Sequence, residues 1–297
     1  MSDENLFDLT GRTAFVTGGA GPLGSVLAST LAGAGARVVV VDVTESACVE
    51  TASSLPGTGH EPCAADLLTA EGLSAVVERA QRLDACDILI NNAAFTGTSG
   101  VPGYAVPFDE QTDEAFALAV QLNLTAPFSL VRRLAPLLRR RGGSVINVSS
   151  IYGLVGPNMS LYEGTRMGNA AAYAASKGGL AQLTRYLSTV LAPDIRVNAF
   201  APGGIERSQD PAFLARYERL TPLQRMGTED DFRAITLWLA SGGSSYVTGQ
   251  VIAVDGGWTA RAKASSVCSS NGTAYPGTPE VPVKAALLTR TSQASSR

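Results

Sequence analysis

The chain has 297 residues, 45% of them apolar and 16% charged, a composition that excludes disorder or a coiled coil as a description of the whole. The formal charge of −3 hides an asymmetry: residues 261–297 carry Arg261, Lys263, Lys284, Arg290 and Arg297 against Glu280, which leaves residues 1–260 acidic and argues against nucleic acid as a partner. No run approaches the roughly 18 unbroken apolar residues of a membrane helix, and the start, MSDENLFDLTGR, is acidic, so the expectation is a cytoplasmic protein without a membrane partner.

Through residues 1–260 short β-branched runs alternate with helical patterns, the mark of an α/β domain with a parallel sheet covered by helices. In chain order the strands are predicted over 12–17, 37–42, 61–65, 86–91, 143–148, 195–200 and 250–254, seven in all. Helices are predicted over 23–33, 45–54, 69–83, 109–140, 171–191 and 228–240, with Asp109 and Thr228 as caps of the fourth and sixth. Long loops at 95–108, 151–170 and 201–222 follow strands, at the sheet edge where α/β proteins bind ligands. From residue 261 the chain turns to Ala, Ser, Thr, Gly and Pro without periodicity, which reads as a disordered tail. Cys48, Cys63, Cys86 and Cys268 show neither CxxC nor metal-ligand spacing and read as packing residues, so no metal is expected. The one histidine, His60, lies in the turn-rich LPGTGHEPC and reads as a solvated loop residue, which rules out histidine triads and HExxH zinc sites.

The first strand runs into Thr17-Gly18-Gly19-Ala20-Gly21-Pro22-Leu23-Gly24 and then a helix. Glycines at such a turn let backbone N–H groups meet a pyrophosphate at the helix N-terminus, or they serve tight packing alone. About 20 residues on, Asp42 ends the second strand, where a carboxylate accepts from both adenosine ribose hydroxyls and repels a 2′-phosphate. With no basic residue in the turn or in Val43-Thr44, NAD is favoured over NADP; the alternative reading of Asp42 is a strand-end cap. Asp66 and Leu67 follow the third strand near where an adenine would lie, and Asn91-Asn92-Ala93-Ala94 close the fourth, either as cofactor contacts or as turn chemistry.

Lys177 is the one lysine before residue 261, where every other basic residue is arginine, a sign of a chemical need for an ammonium there. It stands four residues after Tyr173, on the same helix face. An ammonium beside a phenol favours phenolate and lowers its pKa, which suits proton exchange with an alcohol or ketone. Ser150 offers a donor to the substrate oxygen, and Asn123 could hold a water that relays protons through Lys177.

Together these residues resemble the short-chain dehydrogenase/reductase family over residues 8–258: the TGxxxGxG turn at Thr17 to Gly24, the NNAG motif at Asn91 to Ala94, the Asn-Ser-Tyr-Lys tetrad at Asn123, Ser150, Tyr173 and Lys177, and the PG turn at Pro202-Gly203. The resemblance implies a single Rossmann domain, a small-molecule substrate, a homo-tetramer or homo-dimer, and cofactor contacts from Gly18, Gly21, Leu23, Gly24, Asp42, Asp66, Leu67, Asn92, Ala93, Tyr173, Lys177, Pro202, Gly203 and Ile205. The chain departs from the family pattern at Pro22 and Ala94, where glycines are usual, and at Arg207, near Ile205, where a threonine is common. Tyr173 also follows Ser150 by an unusually long interval, whereas Tyr162, with Arg166 four residues on, stands at the usual one. Arginine does not replace lysine in this role, so the reading is an insertion around LYEGTRMGNA. It projects Asn158, Tyr162, Glu163 and Arg166, with Arg207, toward a polar substrate such as a polyol, sugar or sugar phosphate, or else it mediates subunit contacts. The SSIYG…YEGT stretch resembles a subgroup among reductases of surface-sugar pathways. The readings left open beside an NAD-dependent oxidoreductase are an inactive nucleotide-binding scaffold and a redox-neutral epimerase or dehydratase.

Overall fold

The computed structural model describes residues 6–97, 99–165 and 167–261. Strands β1 (Thr13–Thr17), β2 (Arg37–Asp42), β3 (Glu61–Ala64), β4 (Ile88–Asn91), β5 (Gly143–Val148), β6 (Ile195–Pro202) and β7 (Val251–Val254) form one parallel sheet in the order β3-β2-β1-β4-β5-β6-β7. In register, Phe15 of β1 pairs with Val39 on one side and Leu89 on the other. The strand order reverses between β1 and β4, so the loops at their C-terminal ends flank the crevice where such sheets take ligands.

The strands read as continuous apolar runs because both faces are covered. Phe15, Val39, Leu89, Val145 and Val197 point to one side, under α3 (Ala70–Leu83), α5 (Ala126–Arg139) and α6 (Ala171–Leu191). Their neighbours Val16, Val40, Ile90, Ile146 and Phe200 point to the other, under α1 (Pro22–Gly33), α2 (Glu45–Ser54) and α8 (Arg233–Ala240). Cys48, Cys63 and Cys86 are free and buried in these two cores.

Four expectations need correction. The helix predicted over 109–140 is α4 (Asp113–Val120), a π turn (Gln121–Thr125) and α5. Asp109 is not its cap: it lies in the short 3-10 turn Phe108–Glu110, extended Gln111 breaks the run, and Thr112 caps α4 by accepting from Ala115 N at 3.2 Å. The predicted loop 201–222 contains α7 (Pro211–Leu220), started by Asp210, which accepts from Ala212 N at 2.8 Å, with Pro211 in the first turn. His60 is not merely solvated: Nδ1 accepts from Val38 N at 3.1 Å and Nε2 lies 2.9 Å from Pro56 O, so the ring fastens the loop to β2. Thr228 does cap, through a reciprocal box with Asp231, a 3-10 turn that leads into α8. The run 113–139 is long and apolar enough to cross a membrane by length and composition, and its Ala126, Leu130, Val131, Leu134 and Leu138 are packed against the sheet. The tail expected from residue 261 lies beyond Arg261, outside the described residues, as does Cys268.

Candidate active site

The turn after β1 is shaped by close approach. Gly18 has φ +61°, and a Cβ there would come within 2.9 Å of Asn92 Nδ2 and Ala93 Cα. At Gly24 a Cβ would sit 1.9 Å from the Gly18 carbonyl oxygen, so only glycine lets α1 seat on the turn. Ser25 N bonds Gly21 O at 2.9 Å, Pro22 has no N–H, and α1 has neither a side-chain cap nor an acidic residue in its first turn. The N–H groups of Leu23 and Gly24 are therefore the donors this helix end presents to an anion. The Leu23 side chain itself is buried in the core.

Asn92 and Ala93 hold this turn in place. Thr17 Oγ1 accepts from Asn92 N and Ala93 N at 3.0 and 3.1 Å, and Asn92 Nδ2 donates to Thr17 O and Gly18 O, both at 3.0 Å. The Asn92 amide hydrogens expected for a ribose are thus spent on the turn. Asp42 accepts from Ala20 N at 3.1 Å and from Val43 N at 2.8 Å, which places its carboxylate against the turn and leaves lone pairs on both oxygens. Asp66 is exposed and makes a local turn, accepting from Leu68 N at 3.0 Å, while Leu67 buries its side chain under α3. A glycine cradle, helix-end N–H groups with no acidic residue in the first turn of α1, and the Asp42 carboxylate at the end of the neighbouring strand together fit a dinucleotide.

The candidate catalytic groups gather where β5 ends and α6 begins. Lys177 is 2% exposed; its Nζ donates to Val148 O at 2.7 Å and stands 5.8 Å from the Tyr173 ring centroid, one helical turn away. Ser150 Oγ accepts from Tyr152 N at 3.2 Å and lies close enough to the Tyr173 hydroxyl to favour its ionised form. A Cβ on Gly153 would lie 2.7 Å from the Lys177 carbonyl group, so glycine lets this turn lie flat on α6. Asn123 is buried in the π turn, a geometry frequent at functional sites. Its side chain is committed, with Oδ1 accepting from Phe95 N at 2.9 Å and Nδ2 donating to Ser176 Oγ at 3.0 Å. Its carbonyl loses its ordinary helical donor, because residue 127 is proline.

The electrostatics differ from the expectation of an acidified phenol. Burial raises the Tyr173 pKa, and the neighbouring Ser150 hydroxyl and the Arg207 charge offset this only in part. Burial also pulls Lys177 down to about 7, and its nitrogen is turned to a backbone carbonyl. The protein by itself therefore holds Tyr173 as a neutral acid beside a weakened ammonium.

The remaining predicted contacts are scattered in role. Gly203 packs so closely that a Cβ would meet Asp255 Cα at 2.9 Å, and Pro202 ends β6 beside it. Ile205 bridges to Gly227 and packs on the core. Arg207 Nε pairs with Glu229 at 2.8 Å, so it is a rim cation already partnered. In the inserted loop Asn158 caps its own turn through Ser160 N at 3.2 Å, Glu163 is exposed, and Arg166 lies outside the described residues. Tyr162 turns inward to Tyr152, the hydroxyls 2.8 Å apart, and onto Phe213 of α7. Tyr152, Phe213 and Tyr217 were not anticipated. The Asp210-Pro211 start signal, with apolar residues at 213, 214, 217 and 220, would have revealed α7, while nothing local marks Tyr152.

A family model described as enoyl-(acyl carrier protein) reductase matches residues 18–259. The "rhamnolipids biosynthesis 3-oxoacyl-[acyl-carrier-protein] reductase" of Pseudomonas aeruginosa is 34% identical over 85% of this chain and 98% of its own length. The chain belongs to the short-chain dehydrogenase/reductase family. Among solved structures, a gluconate 5-dehydrogenase from Burkholderia cenocepacia in complex with NADP and tartrate is similar with a TM-score of 0.76 and 28% identity, covering 87% of this chain and 99% of that one. A short-chain dehydrogenase from Leptospira borgpetersenii with bound NAD+ is similar with a TM-score of 0.74 and 31% identity, covering 87% and 97%. This dehydrogenase/reductase is accordingly an NAD(P)-dependent oxidoreductase acting on CH–OH groups.

Proposed function

We propose that this dehydrogenase/reductase moves a hydride between NAD(H) and a secondary alcohol or ketone of a polar small molecule, a polyol, sugar or sugar phosphate, with Tyr173 as general acid and base. The observation that carries the reading is the partly buried Tyr173, with Ser150 beside its hydroxyl and Lys177 5.8 Å from its ring, at the sheet edge beside the Gly18–Gly24 turn. Bound there, the nicotinamide supplies or accepts the hydride. In reduction the neutral Tyr173 gives its proton to the substrate oxygen while the Ser150 hydroxyl donates to the same oxygen as charge develops on it. Lys177, anchored on Val148 O, holds the proton path from below, and the Asn123 carbonyl holds the water that extends it. Tyr173→Phe should lose turnover by a factor of at least about 100 while keeping dinucleotide affinity; near-normal turnover would end the reading.

Gly18, Gly21, Leu23, Gly24, Asn92, Ala93 and the Pro202–Ile205 stretch would hold the dinucleotide. The preference for NAD rests on the Asp42 carboxylate, fixed against the turn by Ala20 N, with no cation in the turn or at Val43-Thr44 to neutralise a 2′-phosphate. A kcat/KM ratio below one for NAD+ over NADP+ would refute it. A homo-dimer or homo-tetramer is supported by exposed Phe116 and Leu118 on α4, Phe128 on α5, and Tyr186 and Val190 on α6. A single-chain mass by light scattering would overturn that part.

A second reading, reduction of a 3-oxoacyl thioester, is favoured by the Pseudomonas relative and by a phenol poised as an acid. Acetoacetyl thioester turnover exceeding that of every polyol and sugar ketone would select it.

A further inference from the structure

This inference rests on the proposed chemistry at Tyr173 and concerns what lies beside it. Tyr152, at the start of the 151–170 loop, and Tyr162, in its middle, meet with their hydroxyl oxygens 2.8 Å apart. Tyr152 is strapped to the reactive group by its N–H, which donates to Ser150 Oγ at 3.2 Å. Both phenols lie near enough to Tyr173 to interact with its charge.

The pair is held from behind. Tyr162 packs on Phe213 with ring centroids 5.3 Å apart, Phe213 packs on Tyr217 at 6.0 Å, and Tyr217 stacks on Trp258 at 4.4 Å and 11°. Leu161 is fully buried, and Arg216 of α7 donates to Leu161 O at 3.1 Å and to Glu163 O, clamping the loop on both sides of Tyr162. Such a constellation is set before any ligand arrives.

Two phenols carry two hydroxyl protons, and their mutual bond uses one. The other is left to donate outward. Burial with Tyr162 alongside pushes the Tyr152 phenol up, so it remains a neutral donor. A substrate oxygen satisfies the spare donor, whereas an alkyl group leaves it unpaired, and sites of this kind discriminate against analogues lacking the polar group. Tyr152 follows Ser150 by two residues and its N–H holds Ser150 Oγ, and both phenols lie close enough to Tyr173 to oppose its ionisation, so the spare donor borders the reacting carbon and suits an oxygen on the carbon beside it.

We propose that the Tyr152–Tyr162 hydroxyl pair binds an oxygen on the carbon adjoining the reacting carbinol, making vicinal diols and α-hydroxyketones the substrate class. The test compares matched pairs, butane-2,3-diol against butan-2-ol and cyclohexane-1,2-diol against cyclohexanol, with NAD+ and with NADP+, in the full chain and in Tyr162→Phe and Tyr152→Phe. The wild type should favour the diol by about tenfold or more in kcat/KM, and each variant should cut that ratio by about three- to tenfold. A merely structural role would lower both substrates together and leave the ratio unchanged, which would overturn the proposal. As a readout apart from turnover, the diol should raise the melting temperature of the wild type and not of Tyr162→Phe; equal shifts in both count against it. Turnover of a 3-oxoacyl thioester alone, still dependent on Tyr173, would overturn this inference and spare the tyrosine chemistry. Turnover that survives Tyr173→Phe would remove the reading beneath it.

Discussion

Replacing Lys177 by methionine tests the electrostatic account of the site directly. Lys177 is buried and its ammonium is pulled from 10.5 down to about 7 by burial. Below about pH 7 native and unfolded chains both carry the proton, and the native state bears the whole cost of burying it. Between about 7 and 10.5 the unfolded chain binds a proton that the native state has released, so stability rises with pH across that window. A shift of about 3.5 units at 1.36 kcal/mol each sets the full cost at about 5 kcal/mol. Raising the pH from about 6 to about 9.5 should relieve roughly 3 kcal/mol of it. The assay is urea unfolding of wild type and Lys177→Met at steps of pH, with stability taken at constant m-value. The wild-type curve should climb relative to the variant by that amount. Parallel curves would show that Lys177 keeps an ordinary pKa in the folded protein, and the weakened ammonium beside a neutral Tyr173 would have to be abandoned.

Three further outcomes are expected. Gly24→Ala would push a methyl group into the Gly18 carbonyl, 1.9 Å away, so it should lower stability by about 1–3 kcal/mol and weaken dinucleotide binding in titration calorimetry; unchanged affinity would contradict the cradle. Asp42→Ser removes the carboxylate at the end of β2 and should move the NAD+ to NADP+ ratio of kcat/KM toward NADP+ by about tenfold or more, a constant ratio counting against Asp42 as the discriminator. Asn123→Ala strands the Phe95 N–H and removes the donor to Ser176 Oγ, which keeps its own bond to Tyr173 O, and should cost about 1–3 kcal/mol in denaturant unfolding even where it leaves cofactor binding intact.

The parallel sheet, the glycine turn, Asp42 and the Tyr173–Lys177 pair were all legible in the sequence, because each rests on a short-range rule: two-faced burial makes continuous apolar strands, a tight turn demands glycine, and four residues make one helical turn. Helix ends were less so. Asp109 and Thr112 are both competent caps, and only extended Gln111, with Thr112 N bonded to Gly103 O at 3.1 Å, decides between them. The direction of the Tyr173 shift was beyond local reading, since a neighbouring ammonium and burial act in opposite senses and the depth of burial is a property of the packed fold. The same holds for the inserted loop. Its polar residues suggested groups offered to a ligand, yet Asn158 caps its own turn, and Tyr162 is turned onto Phe213 by α7, fifty residues further along the chain. Sequence spacing set Tyr173 and Lys177 on one helix face and Asp42 at a strand end; tertiary packing decided which of their atoms remain free, because a hydrogen bond or a desolvated charge depends on neighbours that chain spacing does not specify.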